Sequence, residues 1–374
     1  MASLLLVSAL LSGCQSDNAH NRPTATGSPT PTGKPSLVVL PEKIFVDLGP
    51  YAVGSIGCDN QTVAWTTSSQ PRTSQLDVVR SVQLSDRSTR VLAQTTGGGT
   101  VNDDVVVSGQ WVVFMQYQQH NEEFTTDFWK LQAVDISTKR LVPIAAGLQH
   151  PTTLELPFYS LSGHTVVWDE LEADGRKVLK TLDLASGTSE TLRLPTGTYP
   201  TRPKISGGQI VFLDNSTDSS RSTEDFYSRT GQLMLYDLAT GRIRKLSSTP
   251  QAAQPDYHGS VVAWSGTSPD PQGPSVVPDV RLSPTDGKPF KIIAGLGDLP
   301  LVSDSFVIWY DHEQRALFAY SLESQRSVIL TLASHKDLKA EYGLCGHMLF
   351  FALSPEVDGD KSRLRYVDLR DAFK

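Results

Sequence analysis

The phrase "RPKISGGQIVFLD" at 202–214 has near copies in "YSLSGHTVVWDE" at 159–170 and "QPDYHGSVVAWSG" at 254–266. Anchored on the aromatic that ends each phrase, the series runs Trp65, Phe114, Trp168, Phe212, Trp264, Trp309 and Phe351. Six steps from residue 65 to residue 351 average about 48 residues each, a period that belongs to propellers, solenoids or arrays.

Positions inside each copy decide among these. Five residues before the aromatic stand Asn60, Gly109, Gly163, Gly207, Gly259, Asp304 and Gly346. Gly, Asn and Asp are the residues that tolerate positive φ, as a two-residue hairpin turn requires. The two residues before the aromatic are apolar in every copy, from Val63-Ala64 to Leu349-Phe350. Neighbouring strand residues point to opposite faces, so both faces of this strand are buried. Further on, Asp135, Asp183, Asp237 and Asp368 close a third strand, with Gln83, Arg281 and Ser321 in the weaker copies. A shorter fourth strand follows, as in "RIRKLS" and "RSVIL". Seven such four-stranded antiparallel meanders suit a closed, seven-bladed β-propeller. The seventh copy ends without a fourth strand, while "SLVVLPEKIFVDLG" at 36–49 precedes the first copy unassigned. Pairing Val38–Leu48 beside Leu364–Leu369 completes blade seven and removes a bare edge.

The closest copy, "RPKISGGQIVF" with "LYDLATGRIRKLSS", resembles the TolB-like propeller repeats of exported bacterial and archaeal proteins over residues 38–374. Asn60 and Asp304 at the Gly position and Arg281 at the Asp position depart from that pattern. The resemblance implies the fold and leaves the function open, because the matching residues are structural.

The chain opens "MASLLLVSALLSGCQSDN", where a short apolar run ends in Leu11-Ser12-Gly13-Cys14. The stretch resembles a bacterial lipobox, which makes residues 1–14 a lipoprotein signal peptide and Cys14 the lipid-bearing residue, although no Lys or Arg precedes the apolar run. An ordinary cleaved signal is the alternative. Residues 15–37 are Ser, Thr, Pro and Gly-rich, a disordered tether before the propeller domain at 38–374. The expected location is therefore the cell envelope, with the protein exported and held to a membrane only through its lipid. A formal charge of −7 argues against nucleic acid as a partner.

Chemistry is expected on the face that carries the loops between second and third strands. The two longest, 116–130 and 213–232, offer Tyr117, Phe124, Phe128 and Trp129, and Phe226 and Tyr227. Ten or eleven residues before the aromatics stand Asp103, Asp104, Arg202, Asp298 and Glu341, gathered at the channel mouth. His120, His150 and His312 are scattered, and no metal site or other cofactor is expected. No Gly-x-Ser-x-Gly, His-Glu-x-x-His or phosphate-cradling motif occurs.

These residues fit two readings. The first is a monomeric, surface-tethered, non-catalytic binding propeller that recognises an envelope protein or glycan through the aromatic and charged residues. The alternative is an envelope enzyme, a polysaccharide lyase or hydrolase, with the acidic channel residues as acid and base or as metal ligands. Cys58 and Cys345 lie on the inner strands of blades one and seven. They differ by one in register, so their side chains should face opposite sides of their strands, and both are expected to be free thiols.

Overall fold

The computed structural model describes residues 35–71, 73, 75–95, 99–119, 126–148, 156–216, 230–247, 251–269, 276–286, 289–294, 297–311, 314–332, 341–352 and 361–374. Cys14 and nearly all of the tether lie outside them. The described residues form seven sheets, each built on an antiparallel meander of consecutive strands. Blade one is typical, with strands Val53–Cys58, Thr62–Thr67, Val78–Gln83 and Thr89–Gln94 side by side. The chain is a seven-bladed β-propeller.

Burial explains the repeat. The seven anchoring aromatics are at most 2 % exposed, and the apolar pair before each is equally enclosed. Seven hydrophobic clusters result, one between each pair of adjacent blades and none confined to a single sheet. Each second strand therefore serves two clusters, which is why it needs consecutive apolar residues. Hairpin glycines Gly109, Gly163, Gly207, Gly259 and Gly346 adopt φ between +57° and +60°. Asn60 and Asp304 do not share that conformation; Asp59 and Ser303 instead cap the turns, Asp59 accepting the N–H groups of Gln61 and Thr62 at 2.8 Å.

The ring closes through the segment before blade one, which does not run as one strand. Pro41 interrupts it, lacking an N–H and fixing φ. The first part, β1 (Ser36–Leu40), pairs in parallel with Ser327–Leu332 as a fifth strand of blade six. The second, β2 (Lys43–Gly49), pairs antiparallel with Ser362–Asp368 and completes blade seven. The expected pairing of Val38 with blade seven is thus corrected, while closure of blade seven from the N-terminal side stands. In blade five, Pro284 rather than Arg281 occupies the turn position, opposite Val261. Arg281 is buried opposite Trp264 and bonded to Asp279.

Cys58 and Cys345 form a disulfide, with Cα atoms 5.7 Å apart. The expectation of two free thiols fails for a geometric reason. Opposite-face reasoning applies to strands of one sheet, whereas these strands belong to adjacent blades. Blade seven meets blade one with its leading face against the other's trailing face, so a register difference of one makes the two sulfurs point toward each other.

Candidate functional site

The position ten residues before each aromatic defines the site. Ser55, Asp104, Phe158 and Arg202 come from blades one to four, and Gln254, Leu299 and Glu341 from blades five to seven. All seven line one cavity of about 590 Å³ at the channel mouth. The ring arises because most inner strands break their ladder here. Register shifts fall between Asp103 and Val106, Thr201 and Lys204, Ala253 and Asp256, and Asp298 and Leu301, and a like one in blade one. Asp104, Arg202, Gln254 and Leu299 sit at φ of +47° to +53°, a left-handed conformation that costs such residues about 1–3 kcal/mol each. Bulges of this kind re-aim side chains.

Adjacent blades hold the bulges in place. Ser55 Oγ accepts the N–H of Val105 at 3.0 Å, Gln254 Oε1 that of Leu299 at 3.1 Å, and Asp256 that of Val302 at 2.7 Å. On blade three, the Tyr159 hydroxyl donates to the Asp104 carbonyl of blade two. The Asp169 carboxylate accepts N–H groups from Phe158 at 3.2 Å and Arg202 at 3.0 Å, and faces the Lys177 ammonium at 3.4 Å. Both side chains of that ion pair are almost fully buried. Burial raises the Asp169 pKa, while Lys177 and the two N–H donors oppose the rise. The Arg202 guanidinium lies 4.2 Å over the Phe158 ring, a favourable cation–π placement.

Charge is distributed unevenly around the cavity. Glu341, Asp103 and Asp104 flank Ser55 on one side, while Arg202 and Lys204 stand on blade four. Asp104 and Glu341 are open to water in the cavity, yet blades surround them and thin out the solvent. That burial raises both carboxyls above the ordinary range; Asp103 adds to both rises, and Lys204 opposes the one at Asp104. Carboxyls coupled in this way divide into a proton donor and an ionised partner. The Tyr117 hydroxyl points to Asp103 Oδ2 at 3.5 Å, and Lys204 Nζ stands 3.5 Å from Asp256.

Asp103, Asp104, Arg202, Glu341 and Tyr117 therefore meet in one cavity. Asp298 sits at the start of the blade-six inner strand, where its charge helps burial raise the nearby Tyr342. Tyr117 and Phe128 belong to paired strands rather than a loop, and Lys130 Nζ lies 5.3 Å from the Phe128 ring. Trp129 is buried between blades two and three, because strand alternation turns it inward next to Phe128. Phe124, Phe226, Tyr227, His120, His150 and His312 lie outside the described residues, among which no cluster of metal-ligating side chains occurs. His164 and His258 make exposed pairs with Asp183 and Asp304 on the opposite face. Asp169 is the residue that sequence reasoning missed. Its signal was present: the place after the aromatic holds Thr, Met, Leu, Ser, Tyr or Ala in the other copies, and a carboxylate only here.

No protein-family model matches the chain, and no curated protein matches it in sequence. Solved structures do match. A prolyl endopeptidase aligns at 10 % identity and a TM-score of 0.60 over 87 % of this chain and 48 % of its own, so the chain spans about half of that protein. The β-propeller domain of the Trilobed protease from Pyrococcus furiosus aligns at 13 % identity and 0.56 over 85 % and 95 %. An oligogalacturonate lyase from Vibrio parahaemolyticus aligns at 11 % identity and 0.57 over 91 % and 100 %. At these identities the likeness shows the fold. The expectation of a non-catalytic binding propeller is corrected by these three neighbours, each an enzyme or part of one, the lyase matched over its whole length.

Proposed function

We propose that the chain is an exported enzyme that cleaves an acidic polysaccharide at the cell envelope, with its reaction centre at the channel mouth. The observation that carries this reading is the ring of seven equivalent positions, where raised carboxyls on blades two and seven share one cavity with Arg202 on blade four. In the neutral form, Glu341 or Asp104 donates a proton to the departing glycosidic oxygen, which general acid catalysis requires. Asp103 beside them serves as base and takes the second proton, from the sugar carbon in elimination or from the attacking water in hydrolysis. Arg202, fixed over Phe158, receives a sugar carboxylate, and Lys204 adds positive charge beside it. The lyase neighbour supports the reading because a single propeller of this extent suffices as its scaffold. Export and the lipid at Cys14 belong to the same proposal and rest on the N-terminal residues.

The test is incubation of the purified protein with polygalacturonate, alginate and neutral glucans, reading unsaturated ends by ultraviolet absorbance and new reducing ends chemically. Cleavage of an acidic polymer that disappears in Glu341→Gln and Asp104→Asn supports the reading. Absence of cleavage across the panel, or cleavage untouched by both substitutions, overturns it.

A further inference from the structure

A second cavity opens beside the first on the same face. It measures about 640 Å³ and is formed by the second-to-third-strand loop of blade three and the crossing into blade four. Arg176, Lys177 and Arg193 line it, together with Tyr199 and the polar turn Thr196–Thr198, against one acid, Glu172. Arg176 already bonds Glu172 at 3.0 Å and Asp174 at 2.6 Å, and Lys177 is held by Asp169. Arg193 is exposed and has no ion pair among the described residues. The two cavities share a wall. Asp169 binds Phe158 and Arg202, which line the first, and Lys177, which lines the second. Tyr199 of the second cavity precedes Arg202 of the first by three residues, about 10 Å of extended chain.

We propose that this cavity is a distal subsite for the same acidic polysaccharide, so that one chain lies across both cavities with a carboxylate at Arg202 and a later one at Arg193. The inference rests on the glycan reading of the channel mouth. Threonine hydroxyls and the Tyr199 ring match a sugar's hydroxyls and apolar face, and the free guanidinium matches its charge. Affinity should therefore rise with chain length, and the rise should depend on blade three rather than on the channel.

The experiment uses the full mature chain carrying Glu341→Gln, titrated calorimetrically with galacturonate disaccharide and hexasaccharide. A hexasaccharide affinity about ten-fold above that of the disaccharide is expected. Arg193→Glu should abolish that advantage while leaving disaccharide binding unchanged. Thr196→Trp, which fills the exposed cavity without touching the core, should do the same. Retention of the length advantage in both variants overturns the subsite and leaves the channel reading standing. Failure of the Glu341→Gln protein to bind either oligosaccharide, with the unsubstituted chain also cleaving no polysaccharide, overturns both.

Discussion

Asp169 Oδ2 of blade three accepts the backbone N–H of Arg202 of blade four at 3.0 Å. The bond joins a fully buried carboxylate to a residue in a left-handed conformation at the rim of the cavity. Strain at the ring is thus held from the adjacent blade.

Asp169→Leu should destabilise the protein by about 3–5 kcal/mol, because the buried Lys177 ammonium loses its carboxylate partner. Adding Lys177→Met should restore much of the loss, leaving the cost of the two orphaned N–H groups. Urea melts of the single and double variants check this; equal stability of the two would show that the ion pair is not the source.

The disulfide predicts that the unfolded, unreduced domain has no titratable thiol at Cys58 or Cys345. It closes a sequence separation of 287 residues between the first and last blades. Cys58→Ser with Cys345→Ser should cost about 2–4 kcal/mol, mainly through a less constrained unfolded chain. Thermal melts with and without reductant measure the same quantity in the parent.

The split N-terminal segment gives two truncations different outcomes. Removal of everything before residue 42 deletes β1 and exposes the site of Leu40, about 1.5–3 kcal/mol of burial, yet unfolding should stay cooperative. Removal through residue 50 also deletes β2 and the Phe45 contacts to Phe350 and Tyr366, and cooperativity should vanish. Calorimetry separates the cases.

Glycines fail for two distinct reasons. Gly163→Val or Gly207→Val should cost about 1–3 kcal/mol from positive φ alone, since a Cβ there meets nothing within 4 Å. Gly57→Ala should cost more than either, because its Cβ would stand 2.2 Å from the Val105 carbonyl oxygen on the next blade. Denaturation midpoints rank the three.

Stability should fall at both ends of the pH range. Asp183, Asp237 and Asp368 are held low, respectively by the Ser186 N–H, the Thr240 hydroxyl and Arg370. Their stabilising effect is present above the ordinary carboxylate range and lost as pH drops through the lowered values. Asp104 and Glu341 are raised, so the folded protein holds more protons than the unfolded chain. Their stabilising effect is full at low pH and lost as pH climbs through the raised values. Asp104→Asn and Glu341→Gln should flatten the decline that sets in above the ordinary carboxylate range, read as urea midpoints.

Much of the cavity was readable in the sequence because it obeys the repeat. Counting ten residues back from Phe114, Phe212 and Phe351 reaches Asp104, Arg202 and Glu341 directly. The long gap after Phe114 reads as a loop that carries Trp129, whereas one strand extends to Gln119 and the next begins at Thr126, so that Trp129 lies on a strand. Asp169 was passed over because it sits inside a run of buried positions, where its partners come from elsewhere in the chain.

The sequence by itself determined the number of blades and which repeat positions are buried, since these follow from local periodicity and turn chemistry. Tertiary structure decided everything that crosses from one blade to the next. Whether Cys58 meets Cys345, which blade takes Val38, and what holds Arg202 in place depend on the faces that two separately formed sheets present to each other. No pattern within a single repeat encodes that relation; closing the ring fixes it.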